Sequence, residues 1–330
     1  MRQNNIFLML LKVFFFSSIL VATSAVRAEL KVVTTIKPLH SLIANVMDGV
    51  GEPALIIEGS TSPHSFTLKP SHAKLLEEAD IIFWVGESIE TFMERPLESI
   101  VKNAEVVEFM EVESINKLKF REESIFEDHD DHDDHDDHDD HDDHDDHDDH
   151  DDHSGHDHHG HAHGEFDAHI WLDPMNAKEM VHEIAHELGD LDPANKNKYE
   201  ANAQATIQAL DQLVNDIEKG INKDAKFVVF HDAYQYFEER FGVRAAGALT
   251  LNTDVLPGAK QIADIQDVIK DRGIKCIFSE PQFNPKIITT IAEDMNIKTG
   301  VFDPLGANID SNKDLYFKLI QNLGNELKGC

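Results

Sequence analysis

The chain has 330 residues, with 63 acidic against 29 basic side chains and a formal net charge of −34 at pH 7. This charge argues against nucleic acid and anionic membrane surfaces as partners and favours cations. The length allows two lobes or one large domain, and no segment after residue 28 is apolar enough to span a bilayer.

The first 28 residues have the composition of a secretory signal peptide. Arg2 and Lys12 precede an apolar run from Val13 to Val21, and a small-residue stretch ends at Ala28. Because Lys12 interrupts the apolar stretch, a membrane anchor is the weaker interpretation. We therefore expect export and cleavage near Ala28.

The next part of the chain alternates short β-branched runs with helical patterns, which is typical of a parallel sheet flanked by helices. The predicted strands are 31–35, 54–57, 81–85 and 105–109, and the predicted helices lie near 39–47, 70–79 and 90–102. We assign residues 29–190 to a first α/β lobe.

A low-complexity segment, predicted over 126–165, interrupts this lobe. From Asp128, Asp-Asp-His repeats run to His153, and apolar side chains are absent from there until Ala162, so we expect a disordered loop. Imidazole suits zinc, copper and nickel, and we expect the loop to be an accessory metal binder. Its fourteen histidines are His129, His132, His135, His138, His141, His144, His147, His150, His153, His156, His158, His159, His161 and His163.

Residues 191–220 contain no internal glycine and carry apolar residues at helical spacing from Tyr199 to Ile217, which predicts one long linking helix. The alternating pattern then resumes over 221–330, the predicted second α/β lobe. Its strands are expected at 227–230, 245–249, 276–279 and 299–302, and its helices near 232–241, 258–271, 285–294 and 312–327.

The two cysteines are Cys276 and the terminal Cys330. An even number of cysteines in an exported protein favours a disulfide, with two unrelated thiols as the alternative.

Three histidines lie where α/β proteins commonly build sites, directly after a strand or in the loop beside one. They are His64 after the second strand, His169 after the low-complexity segment, and His231 at the end of the first strand of the second lobe. Asp303 follows the last strand. Three imidazoles with one carboxylate or water suit four-coordinate Zn²⁺. We also expect Asp232 to orient the His231 ring, and we assign no catalytic role to Glu280.

Several motifs, in order along almost the whole mature chain, resemble the high-affinity zinc-uptake periplasmic binding proteins of ABC importers. They are Gly59–Ser65 with Leu68–Ser71 and Leu75, Ala79–Gly86, His169–Pro174, Phe230–Tyr234, Ser279–Gln282 and Asp303–Gly306. The resemblance implies two α/β lobes joined by a long helix, with zinc held in the cleft between them. It also implies a periplasmic, monomeric receptor that delivers zinc to a membrane permease driven by a cytoplasmic ATPase.

The resemblance places His64, His169 and His231 on the family's histidine ligands and matches Asp303 to a carboxylate that binds metal in related members. Manganese-type relatives carry Glu at the position of His231, so the imidazole here argues for zinc. Some zinc members use a Glu directly before the first histidine. This chain has Pro63 there, which leaves Asp303, water or a loop histidine as the fourth ligand.

Two other functions compete with the receptor. His182 to His186 spells H-E-x-x-H, the zinc-protease signature, but the apolar stripe of that helix leaves His182 and His186 outside, as expected for a surface helix. An exported zinc buffer or chaperone is the second alternative, and it would function without a docking partner.

Overall fold

The computed structural model describes residues 30–126, 165–251, 253 and 257–330. The predicted signal peptide and the fourteen histidines of the low-complexity segment lie outside these ranges. Within them, no helix is both long and apolar enough to cross a membrane.

The first four strands form a parallel sheet with the order β2-β1-β3-β4. Their bounds are β1 Val32–Thr34, β2 Ala54–Leu55, β3 Ile81–Trp84 and β4 Glu105–Glu108. All four side chains of β3 are buried, as expected for a central strand covered by helices on both faces. The helices of this part are α1 Lys37–Val46, α2 Pro70–Glu78 and α3 Glu94–Ser99.

The second sheet is also parallel and has the order β6-β5-β7-β8, the same pattern as the first. Its strands are β5 Phe227–His231, β6 Ala248–Thr250, β7 Cys276–Ser279 and β8 Lys298–Val301. The accompanying helices are α6 Gln235–Phe241, α7 Ala259–Asp271, α8 Lys286–Met295 and α9 Leu315–Leu327. The predicted fold class is thereby confirmed.

Two long helices connect the sheets, α4 Pro174–Leu191 and α5 Lys196–Glu218. Asp173 caps α4 by accepting a hydrogen bond from the Met175 amide at 2.8 Å, and Pro174 occupies the first turn, where its missing N–H costs nothing. The predicted linking helix is observed as α5, and it starts later than expected because Asp192 to Asn195 form the turn between α4 and α5.

One continuous apolar core joins the two sheets. It includes Val33 and Phe83 of the first sheet, Leu210 of α5, and Phe227 and Phe278 of the second. Helix α1 packs against α4, α5 and α9, so an element of the first lobe contacts an element of the second directly. The lobe boundaries at 190 and 221 stay a prediction.

Most differences from the predicted elements have local causes. The helix expected over 90–102 is a 3₁₀ turn, Thr91–Met93, followed by the short α3. The strand expected at 245–249 is observed as Ala248–Thr250, and just before it the Ala246 amide donates to Phe227 of β5 while the Ala246 carbonyl accepts the Phe126 amide. That contact places the residues before the low-complexity segment against the second sheet, although the sequence assigned the segment to the first lobe.

Gly247 makes this approach possible. A Cβ there would lie 2.7 Å from the Ser124 carbonyl oxygen, closer than a real side chain tolerates. The Ser124 carbonyl accepts the Ala248 amide at 2.8 Å. Because Gly247 has no side chain, the segment from Ser124 to Phe126 can run along β6.

The predicted disulfide is present between Cys276 in β7 and Cys330, with Cα atoms 5.6 Å apart. It ties the end of α9 to the second sheet.

Candidate metal centre

The first histidine of the site follows β2. Ile56 and Ile57 continue the strand direction by bonding Thr34 and Thr35, and the chain then turns into a 3₁₀ turn, Pro63–Ser65. Pro63 is buried at the start of this turn and fixes its backbone. His64 is therefore held, partly exposed, beyond the carboxyl end of the strand.

The other two histidines are buried. His231 is the last residue of β5 and is 3% exposed, and His169 precedes the 3₁₀ turn Ile170–Leu172 and is 5% exposed. A buried imidazole without a specific partner is unfavourable, so their environment has to supply hydrogen bonds or a cation.

These three imidazoles form the group with metal-ligand geometry among the described residues. One ring nitrogen from each lies within 4.8 Å of the others. The Nε2 atoms of His169 and His231 are 3.3 Å apart. Two nitrogens bound about 2.05 Å from a tetrahedral zinc ion would be about 3.3 Å apart, so this separation already matches zinc ligation.

A carboxylate holds each buried ring by its other nitrogen. Asp167 Oδ1 lies 2.7 Å from His169 Nδ1, and Glu280 Oε1 lies 2.6 Å from His231 Nδ1. With the proton on Nδ1 donated to the carboxylate, each Nε2 lone pair points at the other ring. The two lone pairs repel each other, and a cation between the rings would remove this repulsion. Carboxylate–histidine pairs of this kind orient metal ligands.

Burial and charge set different proton affinities for the two rings. Burial lowers the pKa of His169 well below its usual value, and the nearby His231 lowers it further. Burial also opposes protonation of His231, but the charge and hydrogen bond of Glu280 outweigh it and raise the pKa of that ring. Burial raises the pKa of Asp167 to about 7. His231 is therefore the ring at which a proton competes most with a metal.

A small cavity of about 10 Å³ adjoins the three rings, with room for about one water-sized species. Its polar lining consists of the histidines, Glu280, Ser62 and Gln282, and its apolar lining consists of Pro63, Trp171, Phe283, Pro304 and Leu305. These apolar walls exclude water and strengthen electrostatic interactions inside.

Asp303 lies outside the histidine group. Its Oδ1 accepts the amides of Leu305 and Gly306 at 3.1 and 3.0 Å and the Gln282 side chain at 3.0 Å. Its Oδ2 accepts the Ala307 amide at 2.6 Å. Both oxygens therefore stabilise a turn, and the structure gives no direct contact of Asp303 with the rings.

The expectation that Asp232 orients His231 is wrong. Asp232 instead pairs with Arg121 at 2.9 Å, and Arg121 also bonds Glu238 at 2.6 Å. Glu280 and Asp167 orient the rings instead, and neither role was predicted from the sequence. A signal for Glu280 existed, because it directly follows β7, the neighbour of β5, and the carboxyl ends of parallel strands meet at one edge.

The H-E-x-x-H segment lies in α4 and confirms the surface-helix interpretation. Val181, Ile184 and Leu188 are buried, whereas His182 and His186 are exposed. Neither histidine belongs to the metal-ligand group found among the described residues.

The chain matches a family model over residues 32–330, and that model describes ZnuA, the periplasmic component A of zinc-uptake complexes. It is 50% identical over 303 residues to the high-affinity zinc uptake system protein ZnuA of Brucella abortus (strain 2308), covering 91% of each chain. The ZnuA of Yersinia pestis is 32% identical over 316 residues, covering 95% of each.

A crystal structure of ZnuA shares the fold. It superimposes with a TM-score of 0.69 at 21% identity, covering 90% of this chain and 98% of the other. At this identity the likeness supports the architecture, and the relatives above support the family.

Proposed function

Since the chain belongs to the ZnuA family of periplasmic zinc-uptake components, we propose that it is a receptor that captures Zn²⁺ as cargo and delivers it to an ABC permease. In this proposal the protein is exported through its first 28 residues, acts in the periplasm as a monomer, and docks on a membrane permease with a cytoplasmic ATPase. It is a binding protein rather than an enzyme.

The 3.3 Å separation of the Nε2 atoms of His169 and His231 carries the proposal. His64 supplies the third nitrogen, and Asp167 and Glu280 fix the two buried rings so that their Nε2 lone pairs point inward. Little side-chain entropy remains to be lost when the ion binds, which favours high affinity.

The donor set favours zinc over manganese. Three imidazole nitrogens suit Zn²⁺, whereas Mn²⁺ prefers carboxylate and carbonyl oxygens. The two carboxylates beside the rings, Glu280 and Asp167, each bond an Nδ1 with one oxygen. Because Asp303 uses both oxygens in its turn, we assign the fourth position to water or a loop histidine.

The histidine-rich segment acts in this proposal as an accessory binder that raises the local zinc concentration. Its Asp-Asp-His repeats, predicted from composition to be disordered, would bind several ions with modest affinity, because each closure costs conformational entropy. The exported buffer remains the competing function, and it would require tight binding to reside in this segment.

Calorimetric zinc titration at neutral pH separates the two functions. We compare mature protein, a deletion of 128–163, the double variant His64→Ala/His231→Ala, and the control His182→Ala/His186→Ala, which removes two exposed histidines of α4. We expect the deletion and the control to retain one tight site, which the cleft variant loses. Tight binding that survives the cleft substitutions and disappears with the deletion would instead support the buffer.

A further inference from the structure

Helix α1 presents a row of polar side chains to the second lobe. Lys37, Ser41 and Asn45 are each about one helical turn apart and so share one face of α1. Ser41 Oγ donates to the Lys313 carbonyl at 2.9 Å and accepts the Tyr316 amide at 3.1 Å. Asn45 Nδ2 donates to the Lys313 carbonyl at 2.8 Å. This face therefore binds backbone groups of the segment before and at the start of α9.

Lys37 is the residue of this row that buries a charged group. It is 5% exposed, and its Nζ donates to the carbonyls of Gly306 and Ile309 at 2.6 Å each and of Ala307 at 3.1 Å. An ammonium has three N–H donors, and all three are used. Burying a charge costs free energy unless it is hydrogen-bonded, so the three carbonyl contacts are what stabilise the Lys37 ammonium at this position.

The same turn is held from its other side by Asp303. The amides of Leu305, Gly306 and Ala307 point to the Asp303 carboxylate, whereas the carbonyls of Gly306 and Ala307 point to Lys37. The turn lies between an anion and a cation that belong to different lobes. The peptide between Gly306 and Ala307 is oriented by both charges: its carbonyl accepts from Lys37 and its N–H donates to Asp303, so rotation of this peptide would break a bond on each side.

This turn forms one wall of the metal cavity. Pro304 and Leu305 line the cavity, and the Pro304 carbonyl accepts a hydrogen bond from the Trp171 indole at 2.8 Å. The Trp171 ring is 5.3 Å from the His169 ring, centroid to centroid. A shift of the turn would therefore move an apolar wall beside a ligand.

We propose that Lys37 is a positioning residue for zinc retention, which locks the 304–309 turn of the second lobe to α1 of the first and so keeps the cavity wall against the three histidines. The inference rests on the proposed zinc site. Lys37 does not touch the ion; it sets how far the wall opens, and so how fast zinc leaves. Asp303 is then the counterpart of Lys37 across the turn rather than a ligand.

The test compares Lys37→Met with Lys313→Met in the full mature chain. Methionine keeps the length of Lys37 but leaves three carbonyls without a donor. Lys313 pairs with Asp48 at 2.7 Å across the same interface, but both side chains are about half exposed, so this control removes an interlobe ion pair of little value.

Trp171 emission reports on the cleft, because the chain has two tryptophans and the other, Trp84, lies in β3. Zinc-loaded protein is mixed with excess EDTA, and the release rate is read from this emission well below the thermal midpoint of each variant. We expect Lys37→Met to release zinc roughly tenfold faster or more, the size seen when groups that orient ligands are removed. The control should stay within about twofold of the wild type.

A purely structural role for Lys37 would lower the thermal midpoint and leave the release rate equal to that of the control, which would overturn the proposal. If Lys37→Met does not fold, Lys37→Gln keeps two N–H donors, and an intermediate rate is expected; a rate equal to the control again overturns it. If calorimetry finds no tight zinc site in the wild type, the proposed zinc site fails rather than the role of Lys37.

Discussion

At the residue scale, proton competition governs how firmly the histidines hold zinc. Only a neutral imidazole binds the ion, so every proton taken up by a ligand weakens binding. Glu280 makes His231 a better ligand by orienting it, but it also raises the pKa of the ring. His169, whose pKa is lowered by burial, keeps its lone pair under acid conditions.

Zinc affinity should therefore fall as pH falls, beginning above the ordinary histidine value because the pKa of His231 is raised. In Glu280→Gln we expect 10–100-fold weaker binding at neutral pH and an inflection shifted to lower pH, since the neutral amide favours His231 protonation less. Trp171 emission between pH 8 and 5 measures both. Glu293→Gln, an exposed carboxylate of α8, is the control. An unchanged inflection in Glu280→Gln would contradict this account.

At the element scale, the loop that follows β3 contains a buried carboxyl group whose pKa is raised by burial. Glu90 is fully buried and accepts the amides of Val85 and Gly86 at 2.7 and 3.2 Å. Burial raises its pKa to about 7, against an ordinary value of 4.5. Between these values the folded chain keeps a proton that the unfolded chain has lost, so stability declines as pH rises through this window.

Glu90→Gln should remove this decline, because an amide accepts the same two hydrogen bonds without becoming charged. We expect the variant to be more stable than wild type at pH 8, by at most about 3 kcal/mol, and to lose the advantage by pH 5. Urea unfolding at several pH values measures the difference. Glu98→Gln on the exposed face of α3 should follow wild type throughout. A constant offset between Glu90→Gln and wild type would rule out the buried titration.

At the scale of the whole molecule, the C-terminal helix connects the two lobes. Helix α9 packs on α1 and α5, and the disulfide ties its end to β7 across 54 positions of the chain. Together with the continuous core and the contacts of α1, this arrangement favours lobes that move little relative to each other.

Replacing both cysteines by alanine should lower the free energy of unfolding by up to about 4 kcal/mol on the chain-entropy model, which tends to overestimate the effect. Zinc affinity should remain near wild type, because Cys276 and Cys330 lie away from the cavity lining. Urea unfolding and the Trp171 titration measure these two quantities. A large loss of affinity would show that the tail also controls the cleft.

The sequence by itself was sufficient for the architecture and for the expectation that the three histidines lie close together. Strand and helix periodicities are local, and His64 and His231 follow predicted strands whose carboxyl ends meet at one edge of their sheets. The histidine-rich segment is equally plain from composition, although it lies outside the described residues.

Only the tertiary structure decided which carboxylates serve the site. Glu280 lies 49 positions from His231, and Lys37 lies 269 positions from Gly306. Local patterns carry no information on such pairs, so Asp232 was chosen for its adjacency to His231 and Asp303 for its place after a strand. In the folded chain Asp232 faces Arg121 and Asp303 faces its own turn, because a buried charge is satisfied by whichever partner the packing brings within hydrogen-bond distance.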